Sequence, residues 1–377
     1  MTMTINNEHK KLNVPNLRFP EFEGEWEKST LGDISEFSKD RLNSNELSCD
    51  NYVATENMLQ DYQGIVAASN IPSSTNVIKF SKGDVLLSNI RPYLKKVWYA
   101  DRDGGCSADV FVFKVLAVCN SDFLHYIIAN NKFINFAMSG AKGVKMPRGD
   151  KEQMKTYKIG LPSKEEQRKI ADLLRLLDER IATQNKIIDK LQSLIKGISG
   201  RIFASIQGIE YRMGDIASIT NGDSNVQDAV TESNDGLYPF FDRSEDIKYL
   251  STFLFDKEAI IYPGEGAEFI PRYFKGKFAL HQRCYAIFDF NEIIDAQYLY
   301  LYLKTQNSYF VRNAVGSTVP SLRLDTFQKL KVVVPPKKIQ YSVSLCLSSM
   351  EQKFNIENDI LQMLLKQKQY LLRQMFI

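Results

Sequence analysis

The sequence predicts an α+β protein: two similar mixed α/β units in pseudo-two-fold arrangement, separated by two long antiparallel, coiled-coil-like helices. Three observations lead there. The chain of 377 residues repeats itself at a long period. A heptad seam occurs twice, with a polar interruption at the same place in both copies. Each seam is preceded by a segment of short runs rich in β-branched and aromatic residues, punctuated by glycine and aspartate turns.

The repeat shows in matched landmarks. Leu31-Gly32-Asp33-Ile34 returns as Met213-Gly214-Asp215-Ile216. Phe123–Ile128 returns as Tyr298–Leu303, Arg148-Gly149-Asp150 with Gln153 as Arg323-Leu324-Asp325 with Gln328, and Ile159–Pro162 as Val332–Pro335. The first seam runs through Leu174, Leu177, Ile181, Gln184, Ile188, Leu191, Ile195, Ile198 and Ile202 in unbroken 3–4 spacing. Adding 173 to each position gives Leu347, Met350, Phe354, Glu357, Leu361, Leu364, Lys368, Leu371 and Met375, so Gln184 and Glu357 interrupt at matching points. One such helix alone would expose its seam, whereas two on one chain can bury it against each other. The other possibility is that each seam belongs to the core of its own domain.

The layout that follows is an N-terminal extension at 1–14, units at 15–162 and 204–335, and long helices at 163–203 and 336–377. Pro162, then Ser163 with Glu166 three residues on, predicts a capping box opening the first helix. About 40 residues at 1.5 Å each span ~60 Å. In the first unit, strands are predicted at 84–88, 96–100 and 109–114 and a helix at 122–136. The second should have strands at 258–262, 277–280 and 284–288 and a helix at 295–311.

Many functions are excluded by what is missing. Hydrophobic residues make up 44% and charged residues 25%, as in an ordinary globular chain. No apolar run approaches the ~18 residues of a membrane helix, and the polar start lacks a secretory h-region. Five scattered cysteines (49, 106, 119, 284, 346) form no CxxC pair and read as reduced thiols of a cytoplasmic protein. Three histidines (His9, His125, His281) are too far apart for a local zinc motif. P-loop, GxGxxG and GxSxG motifs are absent, and Asn89-Ile90-Arg91-Pro92-Tyr93 lacks the paired prolines of an adenine methyltransferase box. A binding or scaffolding protein is expected, with no catalytic residue and no metal site.

The net charge of +3 decides nothing about a polyanionic partner, so positive charge must be local. It gathers at 79–102, 142–158 and 270–283, interleaved with aromatics and beside small-residue loops suited to phosphate. The candidate contacts are Arg91, Tyr93, Lys95, Lys96, Lys142, Lys145 and Arg148 in the first unit. In the second they are Arg272, Tyr273, Lys275, Lys277, Arg283, Ser317 and Arg323. The helix-pair interface is expected at Leu174, Leu177, Ile181, Ile188, Leu191, Ile195, Leu347, Met350, Phe354, Leu361 and Leu364.

Pro15-Asn16-Leu17-Arg18-Phe19-Pro20-Glu21-Phe22 with Trp26, Gly83–Pro92, and Ile159-Gly160-Leu161-Pro162-Ser163-Lys164-Glu165-Glu166-Gln167 opening the long helix carry a resemblance. Together with the two-copy layout, they make the whole chain similar to the specificity (S) subunits of type I restriction–modification systems. The second copy departs at Pro336-Lys337-Lys338-Ile339-Gln340, and Gly264-Glu265-Gly266 stands where the first has Asn89-Ile90-Arg91. The resemblance implies that each unit is a target recognition domain reading half of a bipartite double-stranded DNA site, with the helix pair as ruler. It also implies two modification subunits using S-adenosylmethionine to methylate adenine. Two restriction subunits would use ATP and Mg²⁺ for translocation and cleavage; these cofactors belong to the partners and none to this chain. A ~60 Å helix against ~3.4 Å per base pair bounds the gap at about 17 base pairs. The alternative function is a protein-binding scaffold without DNA contact.

Overall fold

The computed structural model describes residues 13–377. Most of the predicted N-terminal extension, with His9, therefore lies outside the described residues. The chain divides into two compact units: residues up to Thr183 with Leu361–Ile377, and Gln184–Ile360. Each unit thus holds an α/β portion and a stretch of both long helices.

In the first unit, one antiparallel sheet orders Ser35–Phe37, Val110–Val115, Val85–Ser88 and Val97–Tyr99, with Leu86 opposite both Trp98 and Val112. A second sheet orders Arg41–Asn43, Asn76–Phe80, Gly104–Cys106 and Tyr52–Val53. Val53, Phe80, Leu86, Trp98 and Val112 share a core between them. The second unit has one six-stranded sheet ordered Ser218–Asn221, Cys284–Phe288, Phe255–Pro263, Arg272–Leu280, Tyr238–Phe241 and Lys248–Leu250. Its main core gathers Ile260, Tyr262, Ile287, Tyr298, Phe310 and Phe327. The strand Arg272–Leu280 begins earlier than its predicted start at 277, because Arg272 to Phe278 pair along Phe255–Ile261.

The repeat survives as matched local structure. Each α/β portion is closed by a two-stranded ribbon, Glu27–Thr30 with Lys158–Leu161 and Ile209–Arg212 with Lys331–Val334. Each ribbon leads into a one-turn helix at Leu31–Ile34 or Met213–Ile216. Gly32 and Gly214 press these turns onto the short helices Lys151–Lys155 and Leu324–Gln328, where a Cβ would sit 3.2 Å from Lys155 Cβ or 3.3 Å from Gln328 Cβ. The single helix predicted at 122–136 is two, Ser121–Ile128 and Asn131–Ser139. Asn130 breaks it by accepting the Lys132 N–H as a cap, while its amide donates to Leu372 O. The one predicted at 295–311 is likewise Ala296–Lys304 and Asn307–Asn313.

The long helices run over Lys164–Ser205 (42 residues) and Lys337–Gln374 (38 residues). Half of the predicted capping box forms: Glu166 N–H donates to Ser163 Oγ at 3.3 Å. The Glu166 carboxylate instead accepts from Arg18 Nε and Nη2 and from Trp26 Nε1. The helices pair antiparallel within each unit. In the first, Asp178 bonds Lys368 at 2.5 Å, and Leu17 N–H reaches Gln374 O from the segment that also holds Glu166. In the second, Gln184 Nε2 donates to Glu357 O at 2.9 Å and Oε2 at 2.6 Å, and Phe203 joins the core that also takes Val343. Every seam position of both helices is buried or half-buried, with Leu174, Leu177, Ile188, Leu347, Leu364 and Leu371 buried. The two polar interruptions therefore meet and satisfy each other, which keeps buried polar groups from being stranded.

His125 is half-buried against the rings of Tyr99 and Tyr126, with its Nδ1 enclosed and unpartnered. Burial, reinforced by the Lys368 charge, pushes its pKa down to about 3. Folding thus favours the neutral imidazole, and that contribution is complete above the unfolded value of ~6.5 and is lost as pH falls toward the folded value. Stability is expected to drop by about 1.4 kcal/mol per pH unit across this window relative to His125→Gln. Urea unfolding of both proteins at pH 7 and pH 4.5 checks it; parallel pH profiles would contradict the assignment.

Candidate nucleic-acid interface

In the first unit the strand Val85–Ser88 ends in a loop that turns left-handed at Arg91 and again at Lys95. A hairpin packs beside it. Lys142 and Arg148 exchange both backbone hydrogen bonds (2.9 and 2.9 Å), and Gly143 takes φ +95° so that the chain can reverse. A Cβ there would sit 3.3 Å from Met146 O. The hairpin is braced on the loop: Ile90 bridges Arg148, Arg91 N–H donates to Pro147 O at 2.8 Å, and Gly149 N–H donates to Asn89 O at 3.3 Å.

The second unit builds the same platform from different residues. Val315 and Ser321 exchange both backbone bonds (2.9 and 2.8 Å), and Gly316 turns at φ +103°. Glu265 bridges Ser321, Gly266 N–H donates to Pro320 O at 3.0 Å, and Leu322 N–H donates to Gly264 O at 2.8 Å. Gly143-Val144-Lys145-Met146-Pro147 and Gly316-Ser317-Thr318-Val319-Pro320 are thus equivalent, 173 positions apart. Gly264-Glu265-Gly266 does occupy the place of Asn89-Ile90-Arg91, as the sequence reading expected.

The structure brings most of the first-unit candidates together on this platform. Tyr93 and Lys145 are exposed. Arg91 is half-buried with its Nε lacking a partner. Lys142 is exposed, bonded to Asp150 at 2.6 Å, and holds that carboxyl below its usual range. Arg148 pairs with Asp109 at 3.2 Å, and Lys95 lies 3.8 Å from Asp61. Lys96 differs: its Nζ turns in and donates to Thr55 O at 2.6 Å.

Second-unit candidates divide further. Ser317 and Arg323 are exposed at the hairpin and its exit, and Arg283 forks onto Glu265 at 2.9 and 3.0 Å. Lys275 and Lys277 are exposed on the strand Arg272–Leu280, opposite Glu258 and Asp256, with Lys277 4.8 Å above the Phe253 ring. Arg272 and Tyr273 turn inward. The guanidinium donates to Ser244 O and stacks over Phe241, whereas the Tyr273 hydroxyl donates to Glu258 and its ring packs against Tyr300. Aromatic spacing on a strand cannot separate a core face from a wet one when the strand's long partner buries alternate residues. Sequence reasoning took Gly316-Ser317-Thr318 as a loop suited to phosphate and did not single out Val144, Met146 and Val319 at the hairpin tips. The repeated Gly-x-x-x-Pro was the available signal.

Among the described residues, no group of His, Cys, Asp and Glu side chains is placed to hold a metal ion, and no helix is long and apolar enough to cross a membrane. All five cysteines are free.

Two α/β portions with matching loop–hairpin platforms and long helices define a duplicated recognition scaffold. A family model, the type I restriction modification DNA specificity domain, matches residues 23–193 and 209–366. The chain belongs to this family. It is similar to the type I restriction enzyme EcoDI specificity subunit of Escherichia coli, 29% identical over 127 residues, or 34% of this chain and 28% of that one. It also resembles a putative type I specificity subunit of Mycoplasma pneumoniae, 26% identical over 165 residues, or 42% of this chain and 44% of that one. These matches span less than half of either curated relative. The crystal structure of a type I restriction–modification S subunit from M. genitalium covers 97% of this chain and 99% of its own, with TM-score 0.66 and 18% identity. A chain from a structural study of type I system assembly gives TM-score 0.58 at 17% identity, covering 92% and 96%. At these identities the structures share the fold.

Proposed function

We propose that this specificity chain reads a bipartite DNA target, each α/β portion taking one half-site. The helix pair sets the gap and docks two modification subunits. Those partners carry S-adenosylmethionine-dependent adenine methylation, and two restriction subunits add ATP- and Mg²⁺-dependent translocation and cleavage; this chain contributes no catalytic residue. The observation that carries the reading is the duplicated platform, identical in backbone bonding and different in its exposed side chains. One task performed on two different sequences calls for that combination, since backbone contacts position a protein and side chains on base edges specify.

The long helices also support the docking role. Leu176, Ile187 and Leu194 on the first are exposed, as are Leu345, Ile356 and Met363 on the second. Apolar side chains left in water on both long helices suit a docked protein partner. Methylome sequencing of cells expressing the chain with its modification subunit should show one adenine-modified bipartite motif. Assembly of a complex that retains no duplex would favour a scaffold without DNA contact.

Arg91 offers a clean test of the first platform. Its backbone is left-handed (φ 51°), a conformation glycine adopts freely, and Gly266 at the equivalent site also takes a positive φ (145°), so Arg91→Gly removes the guanidinium without straining the turn. Duplex affinity of the methylase complex should fall about tenfold and its salt slope by about one. An unchanged titration curve at fixed salt would count against a phosphate or base contact there.

A further inference from the structure

The two hairpins share a frame, and the difference between them is confined to the tips. Each frame is closed by a reciprocal backbone pair, turned by a glycine at positive φ, ended by proline, and braced through a backbone N–H onto the preceding proline's carbonyl. Residues common to both frames cannot distinguish two half-sites. The side chains between glycine and proline can.

We propose that Val144-Lys145-Met146 and Ser317-Thr318-Val319 are the base-reading side chains of the two units, so that a short tip on a common frame sets much of each half-site. This rests on the DNA-reading function proposed above. Exposure is the first support. Val144 is fully exposed, at 102% of its reference area, and Met146 and Val319 are each 48% exposed. Val144 buries nothing within the fold, and Met146 and Val319 keep about half of their surface in water, so packing alone does not account for apolar side chains at these positions. On a base edge, apolar side chains meet the thymine methyl, Lys145 matches guanine O6 and N7, and the Ser317 and Thr318 hydroxyls can donate or accept.

Rigidity is the second support. Both tips sit on doubly bonded, doubly braced turns, which present side chains in one geometry and spare the entropy of ordering a free loop on binding. The third is the surrounding charge. Lys142 and Arg148 flank the first tip, and Arg312 and Arg323 lie either side of the second hairpin, exposed in every case. Cations around an uncharged or singly charged tip suit phosphate contacts that seat it in a groove.

The test replaces the first tip by the second, as Val144→Ser, Lys145→Thr and Met146→Val, keeping Gly143 and Pro147. The variant is co-expressed with its modification subunit and the methylome is read. One half-site should change or relax, with at least a tenfold loss of preference at one or more positions, while the other half-site, the gap and the thermal midpoint stay as they were. An unaltered motif at full modification overturns the proposal. Uniform loss at every site with the motif unchanged also overturns it, by assigning the tip to phosphate. Should the triple variant leave no modification, Met146→Val and Lys145→Thr are each assayed by competition between specific and non-specific duplexes. A preserved specificity ratio in both overturns it as well. Failure of the unsubstituted complex to retain any duplex is a different result and removes the underlying function.

Discussion

Gln167→Ala and Gln340→Ala are expected to be the most destabilising single substitutions at the helix openings. Both glutamines are buried, 1% and 0% exposed, and lie 173 positions apart. Gln167 Nε2 donates to Pro162 O at 2.9 Å and Val118 O at 3.3 Å, and its Oε1 accepts from Asn120 N–H at 2.8 Å. Gln340 repeats the arrangement with Pro335 O and Ile293 O, both at 2.8 Å, and Asp295 N–H at 2.7 Å. Each side chain thus ties its helix's first turn to the proline before it and to the loop entering the domain helix, at Ser121 or Ala296. An alanine removes three bonds at once, one of them to a buried proline carbonyl and two to backbone groups in part-buried surroundings. At ~1–3 kcal/mol for each buried unsatisfied group, the loss should be about 3–5 kcal/mol. Equilibrium urea unfolding, with Gln→Glu as a shape-matched control lacking the amide donor, measures it. A loss below about 1 kcal/mol would mean that water replaces the side chain at all three bonds, the buried proline carbonyl included.

These clamps also show what the sequence could and could not disclose. The long helices were legible because a heptad seam is a one-dimensional pattern, and matching phase plus matching polar gap made the partner identifiable. The Gln184–Glu357 bond is that gap realised in space. The strands of both units were legible at their hydrophobic centres, and their ends shifted with the partner's length. The single helices expected at 122–136 and 295–311 proved to be pairs: Asn130 caps the second helix of the first pair, and the second pair breaks at Thr305-Gln306, although the apolar pattern continues across both breaks. The interface was legible as charge density alone. Arg272, Tyr273 and Lys96 have the composition of contact residues, yet Ser244 O, Glu258 and Thr55 O take their polar groups. Which partner a long polar side chain finds depends on loops distant in sequence. Glu166 makes the same point: placed to complete a capping box, it is drawn away by Arg18, 148 residues earlier.

Inserting one heptad into each long helix is expected to lengthen the gap of the modified motif and leave both half-sites intact. The insertions belong after Gln184 in the first helix and before Glu357 in the second, so that the bonded pair stays together and both seams keep their 3–4 phase. These points avoid the residues that join each α/β portion to the helices: Asp178, bonded by Tyr126 and Lys368, and its counterpart Glu351, bonded by Lys304. Because Asp178 and Glu351 are equivalent positions, each portion is moored at a corresponding point along its own helix. Added length between the moorings has no route of relief through them. A heptad adds ~10.5 Å, which at ~3.4 Å per base pair is about three base pairs. A two-residue insertion in one helix alone, which turns the following seam by about 200°, should instead rotate seam residues into water and disrupt assembly. Methylome sequencing of the paired-insertion complex reads the gap directly. A motif with its original spacing would show that the gap is fixed elsewhere, by the modification subunits or by DNA bending, and would remove the ruler from the helices.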